Sequence, residues 1–256
     1  MTIIPDPAFY LLAIPVVLMI GISKGGFSGA LGILAVPLLT LIMSPMQAAA
    51  IILPILCVMD IFGLLAYRQT AHWQNLFYML PGAIIGITVG YLLFNYLSAD
   101  IIKVLLGVMC VAFTLNHYLR RDPAGKVMQA SLWRGSFWGS IAGFTSFVAH
   151  AGGPPVQFYM LPQKLNKTLY VGTSVWFFFA INYVKLIPYA MLDQFSTENL
   201  GTSLVLLPLA PIGIWLGVKA HKMIPEVIFY RIAYILVLVT GAKLLWDGLR
   251  GMGVFF

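Results

Sequence analysis

Charged side chains are too sparse in this sequence for the chain to fold in water. Asp, Glu, Lys and Arg make up 9% of its 256 residues and hydrophobic residues 61%, where a soluble domain carries about 25% charged residues. A backbone inside lipid must satisfy its own N–H and C=O groups, and helices do so segment by segment. The expected fold class is therefore all-α, a polytopic integral membrane protein. No stretch is long or polar enough for a soluble domain. The formal charge of +7 then marks cytoplasmic loops rather than a nucleic-acid surface. Cys57 and Cys110 sit in apolar segments without metal or redox spacing and read as packing residues. Met1 to Pro7 offers no basic residue and no cleavage site, so Ala8 to Ile22 is expected to stay in the mature protein.

The stretch Gly21-Ile22-Ser23-Lys24-Gly25-Gly26-Phe27-Ser28-Gly29 stands between two apolar runs, Ala8 to Ile22 and Ala30 to Met43. Each run is shorter than the ~20 helical residues that cross a hydrocarbon core. Two short helices meeting at a Gly-rich tip would place Lys24 and irregular backbone at membrane depth. Lipid admits that only where the tip is buried in protein or lines a wet cavity.

Further spans follow in order. Ser44 as N-cap, Pro45 at the first helical position and Gln47 three residues after the cap open a helix to Tyr67 that contains Asp60. Leu76 to Tyr96 carries Gly82, Gly86 and Gly90 at four-residue spacing, a close-packing face. Ile101 to Leu119 closes a first repeat (1–119), and a basic linker (120–134) leads to a second repeat (135–256). That half reads Gly135 to Val148, the tip Ala149-His150-Ala151-Gly152-Gly153-Pro154-Pro155, Leu169 to Leu192, Leu204 to Val218 and Val227 to Trp246. Gly26-Phe27 recurs as Gly143-Phe144 (144 − 27 = 117), and Pro37 as Pro154 (154 − 37 = 117). Pro81, Gly86 and Gly90 recur as Pro208, Gly213 and Gly217 (217 − 90 = 127). An ordered series of this kind implies an internal repeat. With an odd number of segments per half the second repeat is inverted. An outside N-terminus then puts Arg68, the linker, Lys164, Lys167, Lys219 and Lys222 inside, and Asp6, Asp100, Asp193, Glu198 and Asp247 outside. A plain four-plus-four count violates the positive-inside rule; the inverted count obeys it.

The two Gly-rich segments and the Leu34-Ala35-Val36-Pro37-Leu38-Leu39 run resemble the sulfite exporter TauE/SafE family, also called the 4-toluene sulfonate uptake permease family. Gly172-Thr173-Ser174 is similar to a further family element. Lys24 stands upstream of a glycine run sparser than in many members. The resemblance covers nearly the whole chain and implies a multi-pass permease of the bacterial inner membrane for sulfite, sulfonates or related small anions. It implies no cofactor.

Several residues could form the substrate site. Lys24, with Ser23, Gly25, Gly26 and Phe27 around it, offers a positive charge to an anion, or else snorkels to a headgroup. Ser28 and Gly29, and Gly152, Gly153 and Pro154, would open the second helix of each hairpin and aim free N–H groups at the substrate, or serve as plain caps. His150 could carry a proton or could pack as a neutral ring. Asp60 and Lys185 form a coupling-ion site or a structural ion pair between halves. Thr173, Ser174 and Asn182 line the pathway or glue helices together. Trp73, Tyr78, Trp133, Trp138 and Trp246 read as interface anchors. The expected partners are a small anion, H+ or Na+ as coupling ion, the lipid bilayer and, left open, further copies of the chain. No P-loop, metal-binding His-Glu pair or nucleophile elbow is present, so no enzyme is expected. A passive channel and an intramembrane enzyme are the rival readings.

Overall fold

The computed structural model describes residues 3–29, 35–39, 42–94, 96, 98–119 and 127–254. Residues 120–126 of the basic linker, including Arg120, Arg121 and Lys126, and the run 30–34 lie outside the described residues. What is described is helical. The first half comprises α1 (Pro7–Gly26), α2 (Ala35–Leu39), α3 (Pro45–Tyr67), α4 (Trp73–Leu93) and α5 (Ala99–Leu119). The second comprises α6 (Leu132–Ala149), α7 (Gly153–Met160) with a 3-10 turn at Leu161–Gln163, α8 (Lys167–Met191), α9 (Thr197–Leu206), α10 (Leu209–Met223) and α11 (Glu226–Gly251). Among the described residues, α1, α3, α4 and α8 are long and apolar enough to cross a membrane. The α9–α10 pair, bent by 45°, makes a fifth candidate.

The boundaries follow local chemistry. Asp6 caps α1, its carboxylate accepting from Ala8 N at 2.9 Å. Ser44 caps α3, accepting from Gln47 N at 3.2 Å with Pro45 at the first position. Asn166 and Ser196 cap α8 and α9 in the same way. The Leu204 to Val218 run, read as one span, is instead broken where Pro208 stands between α9 and α10. Proline supplies no N–H and clashes with the preceding turn.

The largest departure from the sequence reading is α1. It does not stop at Ile22 but runs on through Gly26, 20 residues in all. The glycines there are spent on contact rather than on a turn. A Cβ on Gly21 would lie 2.7 Å from the Gly213 Cα of α10, and one on Gly25 or Gly26 would lie 2.6 Å from the Ile214 or Gly217 carbonyl oxygen. α1 and α10 thus touch backbone to backbone, as small residues allow in membrane helices. The expected face on α4 makes the same kind of contact with α6. A Cβ on Gly86 would meet Phe144 N at 2.8 Å, and one on Gly90 would meet the Phe147 ring at 2.9 Å.

Residue order along these contacts gives directions. α1 runs parallel to α10 (Gly21 beside Gly213, Gly26 beside Gly217), and α4 parallel to α6. α3 runs antiparallel to α8, with Asp60 bonded to Asn182 and Gly63 against Val175. α5 runs antiparallel to α11, with Gly107 against Gly241 and Asp100 against Gly251. Each of these pairs joins one half of the chain to the other. One end of the bundle gathers basic loops: Lys167 Nζ donates to the His221 and Ile224 carbonyls at 2.8 and 2.5 Å, and His72 N donates to Thr173 Oγ1 at 2.8 Å. Asp100 lies at the opposite end, together with the α8–α9 loop that holds Asp193. Trp73, Trp133 and Trp246 are exposed near helix ends, whereas Trp138 is half-buried and stacks on Phe158 at 4.8 Å.

Candidate anion site

The two long helices that lead each half end alike. Gly29 N donates to the Ser23 carbonyl at 3.0 Å, and Ala151 N to the Thr145 carbonyl at 3.1 Å, each reaching six residues back. The residue before the donor is left-handed in both, Ser28 at φ +56° and His150 at φ +52°. Non-glycine residues hold that conformation only where the surroundings impose it. The two turns lie 122 residues apart (150 − 28 and 151 − 29), not the 117 of the Gly-Phe match. Gly143-Phe144 lies inside α6, whereas Gly26-Phe27 closes α1. Gly152 and Gly153 do open α7 as expected. Ser28 and Gly29 form the turn after α1; the run 30–34 that follows lies outside the described residues, and α2 is described from Ala35.

Between the two breaks lies a cavity of about 30 Å³, room for one or two water-sized groups. From the first half it is walled by Ile20, Lys24, Gly29, Ala35, Ile52 and Leu56; from the second by Ser146, His150, Gly153, Phe178 and Asn182. Lys24, Gly29, His150, Gly153 and Asn182 are therefore brought together. Gly25 and Gly26 face α10 instead. Ser23 is buried and its carbonyl closes the turn; Phe27 is buried beside it. Ser28 and Ser174 pair through their hydroxyls, fastening the turn to α8. Gly152 and Pro154 are buried at the start of α7. Thr173 is not in the cavity: it accepts from His72 N and donates to the Leu169 carbonyl at 2.6 Å, joining α8 to the α3–α4 loop.

The charges are arranged in two groups. Lys24 Nζ lies 2.5 Å from Asp60 Oδ1, an ion pair rather than a well-directed hydrogen bond. Asn182 Nδ2 donates to Asp60 Oδ2 at 2.6 Å. Lys24 also sits 5.9 Å from the Phe178 ring centre, within reach of a cation–π attraction. Lys185 does not pair with Asp60. Its ammonium donates to the Ser146 carbonyl, Ser146 Oγ and His150 Nδ1, each at 3.0 Å. With Nδ1 accepting, His150 presents Nε2–H to the Ala49 carbonyl at 2.9 Å. Among the described residues, the buried amines and acids are Lys24, Lys185 and Asp60. Two amines thus face one carboxyl group; with all three ionised, one positive charge is left in the middle of an apolar bundle.

A small cavity with surplus positive charge, set between broken helices of two halves, suits the passage of a small anion. The model of the sulfite exporter TauE/SafE family matches residues 13–244. This chain belongs to that family. No curated protein and no solved structure matches it. As a TauE/SafE protein it is a multi-pass membrane protein of a transporter family, and the matched span takes in both helix breaks, Lys24, Asp60 and Lys185.

Ser146 and Phe178 escaped the sequence reading, and both had a signal. Ser146 lies one helical turn before His150. Phe178 stands on a single face of α8 with Ser174, Asn182 and Lys185, at spacings of four, four and three.

Proposed function

We propose that this protein is a secondary carrier of a small anion, sulfite or an organosulfonate, working by alternating access in the cell membrane (the inner membrane in a bacterium). The observation that carries the reading is the charge balance at the cavity, Lys24 and Lys185 against Asp60. A buried charge without a counter-charge is costly, and an anion supplies what is missing. We further infer that the two halves form an inverted repeat. Its support is the exchange of partners: α1 beside α10 corresponds to α6 beside α4, while α3–α8 and α5–α11 pair antiparallel, as elements astride a two-fold axis in the membrane plane would. A proton or a sodium ion is proposed to travel with the anion.

Purified protein in liposomes tests this. Saturable uptake of labelled sulfite with counterflow, responsive to an imposed pH or Na+ gradient, is expected. Unsaturable conductance would make it a channel, and conversion of sulfite to another compound an enzyme.

A further inference from the structure

We propose that Asp60 sets the charge of the anion that this site accepts, restricting it to small monovalent oxyanions. The inference rests on the transport reading above and adds to it a substrate charge. Its basis is a count of charges and a position. Lys24, Lys185 and Asp60 are buried together; with all three ionised, the lysines contribute two positive charges and the aspartate one negative. His150 contributes none here, because its Nδ1 accepts from the Lys185 ammonium. A monovalent occupant brings the cluster to neutrality. A divalent one leaves a buried negative charge, which low-polarity surroundings oppose.

Asp60 is fixed where it exerts this effect. It does not wall the cavity, but both of its partners do: Lys24 holds Oδ1 and Asn182 holds Oδ2. The carboxylate is thus one side chain behind the occupant, buried and held at both oxygens. Repulsion of a second negative charge at that range is only weakly screened. Lys185 cannot offset it by turning toward the cavity, since all three of its protons are committed to Ser146 and His150. Ser146 Oγ, accepting from Lys185, keeps its own proton to donate, and Asn182 has a second amide N–H. Both residues line the cavity and suit the oxygens of an oxyanion.

The test compares two tetrahedral anions of similar shape and different charge, methanesulfonate and sulfate, by equilibrium binding to the purified full chain, with sulfite as a check that anions bind at all. The parent should prefer methanesulfonate by about tenfold or more. Asp60→Asn keeps the amide contact but raises the cluster to two positive charges, and should shift the ratio toward sulfate by roughly ten- to hundred-fold. Lys24→Gln combined with Asp60→Asn returns the count to one and should restore the parental preference. A parent that binds sulfate as well as methanesulfonate overturns the proposal, as does an Asp60→Asn ratio equal to the parent's or a double variant that behaves like Asp60→Asn. If Asp60→Asn does not fold, the parent and the charge-balanced double variant still decide. A parent that binds none of the three anions, sulfite included, refutes the transport reading itself.

Discussion

Lys185 Nζ lies 3.0 Å from His150 Nδ1, so the histidine at the second helix break is held at both ring nitrogens, by an ammonium on one side and the Ala49 carbonyl on the other. The ring ties α6 to α8 and α3 at the cavity wall, and its backbone sits at φ +52°. The two roles separate by substitution. Asn tolerates the left-handed region and Val does not. His150→Val should lower stability by about 1–3 kcal/mol more than His150→Asn, read from thermal unfolding in detergent. Equal losses would mean that the ring contacts alone matter.

Lys24 and Asp60 are buried together, so removing one strands the other. Lys24→Gln leaves the carboxylate with Asn182 alone and should cost about 3–5 kcal/mol. Adding Asp60→Asn should recover most of that loss in the same unfolding measurement. A Lys24→Gln protein as stable as the parent would mark Lys24 as a lysine that reaches the surface.

The contact between α1 and α10 is backbone against backbone, which a methyl group cannot enter. Gly25→Ala should destabilise by about 1–3 kcal/mol through overpacking. Gly63→Ala should cost less, because its nearest neighbour is the Val175 side chain at 3.0 Å, which can shift. Urea or thermal midpoints of the two variants rank them, and the reverse order would contradict the packing described.

Cysteines at Asp6 and Gly253 should label with an impermeant thiol reagent from outside intact cells, and a cysteine at Lys164 only after the membrane is opened. All three sites are exposed, while the native Cys57 and Cys110 are buried and stay silent. Labelling of Lys164→Cys in intact cells would reverse or break the proposed orientation.

The membrane class, most helix positions and the two segments around Lys24 and His150 were legible because they depend on local quantities. Apolar run length, capping residues and glycine spacing act within a turn or two of the chain. The same local reading misjudged Gly21–Gly26, because a glycine that makes a turn and one that admits a neighbouring helix look alike in sequence. Only the approach of α10 tells them apart. The Gly-Phe match misled for a related reason: Gly26-Phe27 closes α1, while Gly143-Phe144 lies inside α6. The breaks at Ser28 and His150 share a backbone hydrogen-bond pattern, which backbone geometry makes and residue identity at the turn does not report.

By itself, the sequence determined that the chain is a helical membrane protein, that Lys24, Asp60 and Lys185 stand out as charges within or beside apolar runs, and that glycines allow close helix contact. Lipid imposes the first through backbone satisfaction, and the rarity of charge makes the second visible. The tertiary structure alone decided which charges meet. Lys24 chose Asp60, 36 residues away (60 − 24), and Lys185 was left to Ser146 and His150. Pairing between buried charges depends on distances of a few ångströms across helices that are remote in the chain, and Coulomb energy in a poorly screened interior changes steeply over that range.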